Sequence, residues 1–252
     1  MPFLDHLEEL RWRIVKTLAA LIACFGFSFW YAWTHDVISI LTKPIVALIP
    51  SGELVYTHPM GAFTILMQVA GVMGIVLASP VIVYQVWCFL SPALSARERR
   101  VIVPLLGFAV LLFMAGIALA VFVFVPVTLE MMKGIETTAL KPLITAEAYF
   151  GFMLFICVAF GAVFEMPILV LILTALGLTS PQALSKARRW AAAISLVVCM
   201  VITPGDAVIS TLILWVPVYG LYEFSIVVSW FVYRARKRRE ARAESIGAEA
   251  GA

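Results

Sequence analysis

The chain has 252 residues, 63% of them hydrophobic and only 13% charged, with a net charge of +3. A soluble domain carries about 25% charged residues, so a soluble fold is excluded, and no nucleic acid is expected among the partners. Several runs exceed the roughly 20 apolar residues needed to cross a bilayer, and they lack the strict alternation of a membrane barrel. The expected class is therefore all-α and polytopic.

The N-terminus opens on a charged segment, DHLEELRWR, with no small-residue cleavage site before the first apolar run. A cleavable signal peptide is not expected. Phe3, Leu7, Leu10 and Ile14 recur at helical spacing and predict an amphipathic helix. Glu8 and Glu9 project from other faces, and Glu9 stands four residues before Arg13, the spacing of a helical ion pair.

Six membrane spans follow. They are predicted at about Thr17–Trp33, Ala62–Leu90 (containing Pro80), Val101–Val125, Ala148–Leu176 (containing Pro167), Trp190–Ile202 and Ala207–Val232 (containing Pro217). Fifteen of the eighteen Lys and Arg residues fall on one side of this arrangement, leaving Lys43, Lys133 and Lys141 on the other. The positive-inside rule then puts both termini in the cytoplasm. The outer loops, near 34–61 and 126–147, hold Pro, Gly and apolar residues and are expected to form ordered caps. Residues 1–235 are read as one six-helix transmembrane domain. Residues 236–252 are read as a charged, disordered cytoplasmic tail.

The fifth span is short. Its thirteen residues rise about 20 Å, against a hydrocarbon core of about 30 Å. With Arg188 and Arg189 anchored at the cytoplasmic surface, the turn Thr203–Asp206 is expected to lie recessed below the outer surface. Asp206 also suits an N-cap for the last span.

Polar residues inside the spans are the candidate functional groups. Glu165 is the lone charge in the run from Gly151 to Leu176. Intramembrane carboxyls usually face a protein interior or a water-filled cavity. Pro167, two residues on, removes a backbone donor and loosens the helix there. A polar group beside a kink suits a concave, water-admitting face. The alternative is a protonated structural carboxyl bonded to a neighbouring helix. Gln68, Gln85, Thr203 and Ser210 are weaker candidates for interhelical bonds. Trp30, Tyr31, Trp33, Trp87, Trp190, Trp230 and Tyr233 lie near span ends, where aromatic anchoring is expected.

No cofactor and no metal are expected. His6, His35 and His58 are scattered, and Cys24, Cys88, Cys157 and Cys199 lie in apolar runs without CxxC spacing. An enzyme is not expected either: there is no intramembrane Asp pair, HExxH, Ser/His dyad or GxxxxGK[ST] loop.

Four stretches point one way: HLEELRWR at 6–13, SPVIVYQVWCFLSPALSARERR at 79–100, FGAVFEMP at 160–167 and ITPGDAVISTLILWVP at 202–217. In this order, they resemble the TatC family, the multi-span subunit of the twin-arginine protein translocase. The likeness covers about Phe3 to Arg234. Gly205 and Ser210 depart from it, since many members have proline and glutamine there.

The resemblance implies a curved helical wall of six helices in the bacterial inner membrane. It also implies a receptor that binds twin-arginine precursors at the cytoplasmic face and recruits small single-span TatA-type and TatB-type subunits, in an oligomeric complex driven by the proton motive force. By matching positions, Glu9 and Glu98 are the signal-binding glutamates, while Glu8 matches no such site. A guanidinium is bound best by a carboxylate fork, which gives these glutamates a physical reason. Phe89, Leu90 and Leu94, with Pro92 holding the turn, form either a simple helix–loop junction or an apolar shelf for the signal peptide. Glu165, with Thr203 and Ser210, is implicated in partner contact, where a neutral carboxyl donates a hydrogen bond. The competing function is a proton-coupled small-solute transporter with Glu165 as relay, which usually shows an internal repeat that the chain lacks.

Overall fold

The computed structural model describes residues 3–46, 54–91, 96–133, 144–202 and 208–250, with backbone but not side chains at 3–6, 44, 90, 96–105, 132–133, 175, 202, 209–210, 232 and 235–250. Among the described residues the chain is helical throughout, apart from one isolated bridge between Val55 and Thr145. The helices are α1 Phe3–Thr34, α2 Val37–Val46, α3 Gly61–Leu90, α4 Ala96–Leu119, α5 Val125–Lys133, α6 Ala146–Phe164, α7 Met166–Ala175, α8 Pro181–Ile202 and α9 Ile209–Ala250. A π-helical turn, Ala120–Phe124, joins α4 to α5. It ends beside Pro126, whose ring cannot donate to the ladder and crowds the preceding turn. α7 ends at Gly177, whose φ of 76° suits a residue without a Cβ. There the Leu178 and Gly177 amides return to the Leu173 and Thr174 carbonyls at 3.0 Å each, the Schellman closure.

The chain divides into two compact units. The first combines Met1–Pro92 with Leu106–Val163. In it α1 lies along α3, and Gly74 is what lets them meet. A Cβ there would stand 3.0 Å from Phe25 Cα and 3.1 Å from its amide nitrogen. Gly161 likewise makes room for the Phe113 ring, and the Phe124 and Phe160 rings approach to 5.1 Å. The segments before α3 and α6 are tied by three bonds. Ala146 N donates to Val55 O at 2.9 Å, Thr57 N to Glu147 Oε1 at 3.0 Å and Tyr149 Oη to Leu41 O at 2.8 Å.

The second unit combines Ala93–Leu105 with Phe164–Ala252. Here α9 is flanked by α7 and α8. The buried hydroxyls of Thr174 and Ser229 meet at 2.9 Å and join α7 to α9.

Five stretches are long and apolar enough to cross a membrane: Leu7–Thr34, Gly61–Phe89, Leu106–Met131, Ala146–Thr174 and Thr211–Phe231. The remaining expected span corresponds to α8. That helix is not short: it has 22 residues and rises about 33 Å. Only its apolar part is short, because Lys186, Arg188 and Arg189 sit within its first half. Two further expectations change. The stretch 236–250 is helix, continuing α9, in keeping with its Ala, Arg, Lys and Glu, which favour helix. Trp87 is buried, at 6% exposure, whereas Trp30, Trp33, Trp190 and Trp230 are exposed.

The close approach at Gly74 generates a test. Gly74→Val forces α1 and α3 apart and should cost about 1–3 kcal/mol, lowering the melting temperature of the purified protein in detergent. Gly71→Val, where nothing lies within 4 Å of the added Cβ, should change it far less.

Candidate functional site

Glu9 sits on α1, one turn before Arg13. Its Oε1 accepts from Arg13 Nε at 3.1 Å and also from Nη2. The expected i,i+4 pair is therefore formed, with both side chains largely covered. Arg13 lines a groove of about 320 Å³. Its apolar walls include Leu10, Ile14 and Leu18 of α1 and Val86 and Phe89 of α3, and Thr17 and Gln85 add polar groups. The arrangement puts a carboxylate already engaged by a guanidinium beside an apolar channel. Phe89 is one of the groove's lining residues. Leu94 and Pro92 lie outside the described residues. Glu98 is on α4, in the second unit, and its side chain is not described.

Glu165 interrupts the fourth predicted span, Ala148–Leu176. α6 ends at Phe164 and α7 begins at Met166. The Glu165 carbonyl accepts from Ile168 at 3.0 Å and Leu169 at 3.1 Å, restarting the ladder beyond Pro167. That proline has no N–H to offer the carbonyl one turn back. The break foreseen from Pro167 is therefore real, and it falls on the glutamate itself. Its Oε1 is buried and has no hydrogen-bond partner among the described residues. Such an atom is costly to leave unsatisfied and is a ready acceptor or, when protonated, a donor.

Thr203 and Asp206 lie outside the described residues, so the recessed turn and the N-cap are not among the observations. Ser210 is on the first turn of α9, without a described side chain. Gln68 is exposed and Gln85 half-buried. Among the described residues, polar contacts between helices are made by other groups: Thr174 with Ser229, Trp215 Nε1 with Ala192 O at 3.1 Å and Ser195 Oγ at 3.0 Å, and Tyr222 Oη with Leu184 O at 2.8 Å.

One ionisable group in a span was missed. Glu223 lies inside Thr211–Phe231 and accepts from Tyr219 Oη at 2.9 Å and Arg188 Nη2 at 2.9 Å. The signal was present as aromatic and acidic residues at i,i+4, Trp215, Tyr219 and Glu223. Among the described residues no cluster of His, Cys, Asp and Glu could hold a metal.

The comparisons with known proteins bear on the whole chain. A family model described as Sec-independent protein translocase protein (TatC) matches residues 5–217. The Sec-independent protein translocase protein TatC of Aquifex aeolicus (strain VF5) is 36% identical over 240 residues, covering 94% of this chain and 98% of that protein. TatC of Escherichia coli (strain K12) is 33% identical over 241 residues, covering 95% and 92%. A crystal structure described as the twin-arginine translocase receptor TatC superposes with a TM-score of 0.77 at 34% identity, covering 90% of this chain and 99% of that one. Together with its apolar helices, these likenesses make the chain a multi-pass membrane protein and a member of the TatC family of Sec-independent protein translocase components.

Proposed function

We propose that this chain is the receptor and assembly core of a twin-arginine translocase in the bacterial cytoplasmic membrane. It crosses that membrane six times, α8 included, with both termini inside. It binds the paired arginines of a precursor through Glu9 and Glu98, seats the apolar part of the signal against Phe89 and Leu94, and recruits small single-span TatA-type and TatB-type subunits. The observation that carries the reading is the Glu9 carboxylate, which accepts a guanidinium beside an apolar groove lined by Phe89. A fifteen-to-three division of Lys and Arg between the two sides supports the orientation. The same basic surface repels arginine-bearing peptides unless carboxylates receive them, so binding depends on these few acids.

Glu165 is the proposed contact for a partner helix, with Thr203 and Ser210 nearby in role rather than in any described geometry. Its Oε1 is buried without a hydrogen bond among the described residues, as suits a group completed by another chain. Asp206 serves as the turn-forming cap. The energy source is the proton motive force.

Two measurements test these assignments. Binding of a fluorescent twin-arginine signal peptide to the purified protein should weaken about tenfold in Glu9→Ala and in Glu98→Ala, the effect of losing a charged hydrogen bond of about 1.5–3 kcal/mol. Glu8→Ala should leave it nearly unchanged. Equal binding by all three variants would remove the receptor assignment.

The second measurement is export of a folded reporter, with crosslinking to the single-span subunits in parallel. Glu165→Gln keeps the shape and a donor and should retain much of the export. Glu165→Ala leaves a partner group unsatisfied, at about 1–3 kcal/mol, and should lose most of it. A proton relay predicts that Gln is as damaging as Ala, because glutamine cannot take up and release a proton. Gln and Ala equally inactive, with partner crosslinks intact, would favour the transporter-like relay.

A further inference from the structure

The Glu9 carboxylate already has a cation on it, supplied by its own helix. Three basic residues stand near the start of α1. Arg11 and Lys16 are exposed, whereas Arg13 shares the face of Glu9 and is part-buried with it. The Arg13 and Glu9 side chains are 21% and 26% exposed. Arg13 Nε donates to Glu9 Oε1 at 3.1 Å, and Nη2 donates to the same oxygen. A guanidinium arriving on another chain would use the same donors on the same carboxylate. It cannot do so while Arg13 holds that place.

Arg13 also has somewhere else to go. On α3 the Cys88 thiol is in hydrogen-bonding contact with both Arg13 and the Tyr84 hydroxyl. Gln85, one residue on from Tyr84, lines the groove together with Arg13. Thiol, phenol and amide oxygen can each accept from a guanidinium. The groove, of about 320 Å³, leaves the long side chain room to turn from α1 towards α3. Its backbone meanwhile stays in the helix, where Arg13 O accepts from Thr17 Oγ1 at 2.9 Å. The tie to be broken is weak. An ion pair between successive turns of one helix, open in part to water, shifts an equilibrium only about two- to fivefold.

We propose that Arg13 is a tethered competitor for the signal-binding carboxylate. It occupies Glu9 in the unladen protein, and an arginine of the signal binds by displacing it towards Cys88 and Tyr84. The inference rests on the reading of Glu9 as a signal-binding residue. Its consequence is thermodynamic. The apparent affinity for the signal is reduced by the fraction of molecules in which Glu9 is free, so cargo is held less tightly than the carboxylates alone would hold it. Arg13 is a positioning residue: it touches no cargo and acts through Glu9.

The test is equilibrium binding of a fluorescent peptide with two adjacent arginines and an apolar run to the purified full-length chain in detergent. Arg13→Gln removes the competitor and should tighten binding about two- to fivefold. A merely structural role for Arg13 gives no such gain. Lys16→Gln removes a charge one turn away that Glu9 does not hold, and should tighten binding much less. In a Glu9→Gln background, which itself weakens binding, Arg13→Gln should add nothing. Arg13→Lys keeps the charge without the fork and should show a smaller gain of the same sign, so a glutamine variant too unstable to measure does not decide the matter. Unchanged or weaker binding in Arg13→Gln and Arg13→Lys, with melting temperatures kept, would overturn the proposal. So would an equal gain in Lys16→Gln, or a gain that persists in Glu9→Gln, since either marks a general effect of charge. In those cases weakened binding in Glu9→Gln alone leaves the receptor reading standing. Parental binding in Glu9→Gln would remove that reading and the proposal together.

Discussion

Hydrocarbon offers no hydrogen bonds, and every polar group carried into it must be answered by the protein itself. That constraint organises this chain. Where the backbone ladder stops at Glu165, the carbonyl there is taken up at once by the amides of Ile168 and Leu169. Where Thr174 and Ser229 face one another between α7 and α9, the two hydroxyls satisfy each other. The buried Oε1 of Glu165 has no bond among the described residues, and neither do the buried hydroxyls of Ser28, Thr128 and Thr211; of these four groups only Glu165 can carry a full charge.

The two compact units use different means of holding their helices. In the first, small residues bring surfaces together: Gly74 against the Phe25 backbone, Gly161 against the Phe113 ring. With no solvent to expel between spans, close van der Waals contact is what remains to drive association. In the second, polar ties do more of the work, through Trp215, Tyr222, Glu223 and the Thr174–Ser229 pair. Such ties fix register along the helix axis, which smooth apolar packing does poorly.

Two carboxylates hold guanidiniums in different settings. Glu9 lies near the start of α1, beside an apolar groove, and holds a guanidinium from its own helix. Glu223 holds one from another helix. The chemistry is the same carboxylate–guanidinium pair. The difference is in what the pair joins: the first ties one turn of a helix to the next, the second ties two helices together.

Much of this was legible in the chain alone. Length, apolar content and the distribution of Lys and Arg determined a multi-span helical membrane protein, because bilayer thickness and charge cost act on any sequence in the same way. Glu165 declared itself as a lone charge in an apolar run, and Pro167 foretold the break beside it. The Glu9–Arg13 pair followed from a four-residue spacing that any helix brings together. What spacing could not supply was contact between helices. Arg188 and Glu223 are 35 positions apart, and read singly they look like a surface anchor and an unremarked acid. Gly74 differs from Gly71 only in facing Phe25, and Trp87 from the exposed tryptophans only in what surrounds it. Local periodicity determined the elements and the class of protein. Which faces meet and which charges pair were decided by tertiary packing, because those energies arise between segments whose proximity is not written in their order.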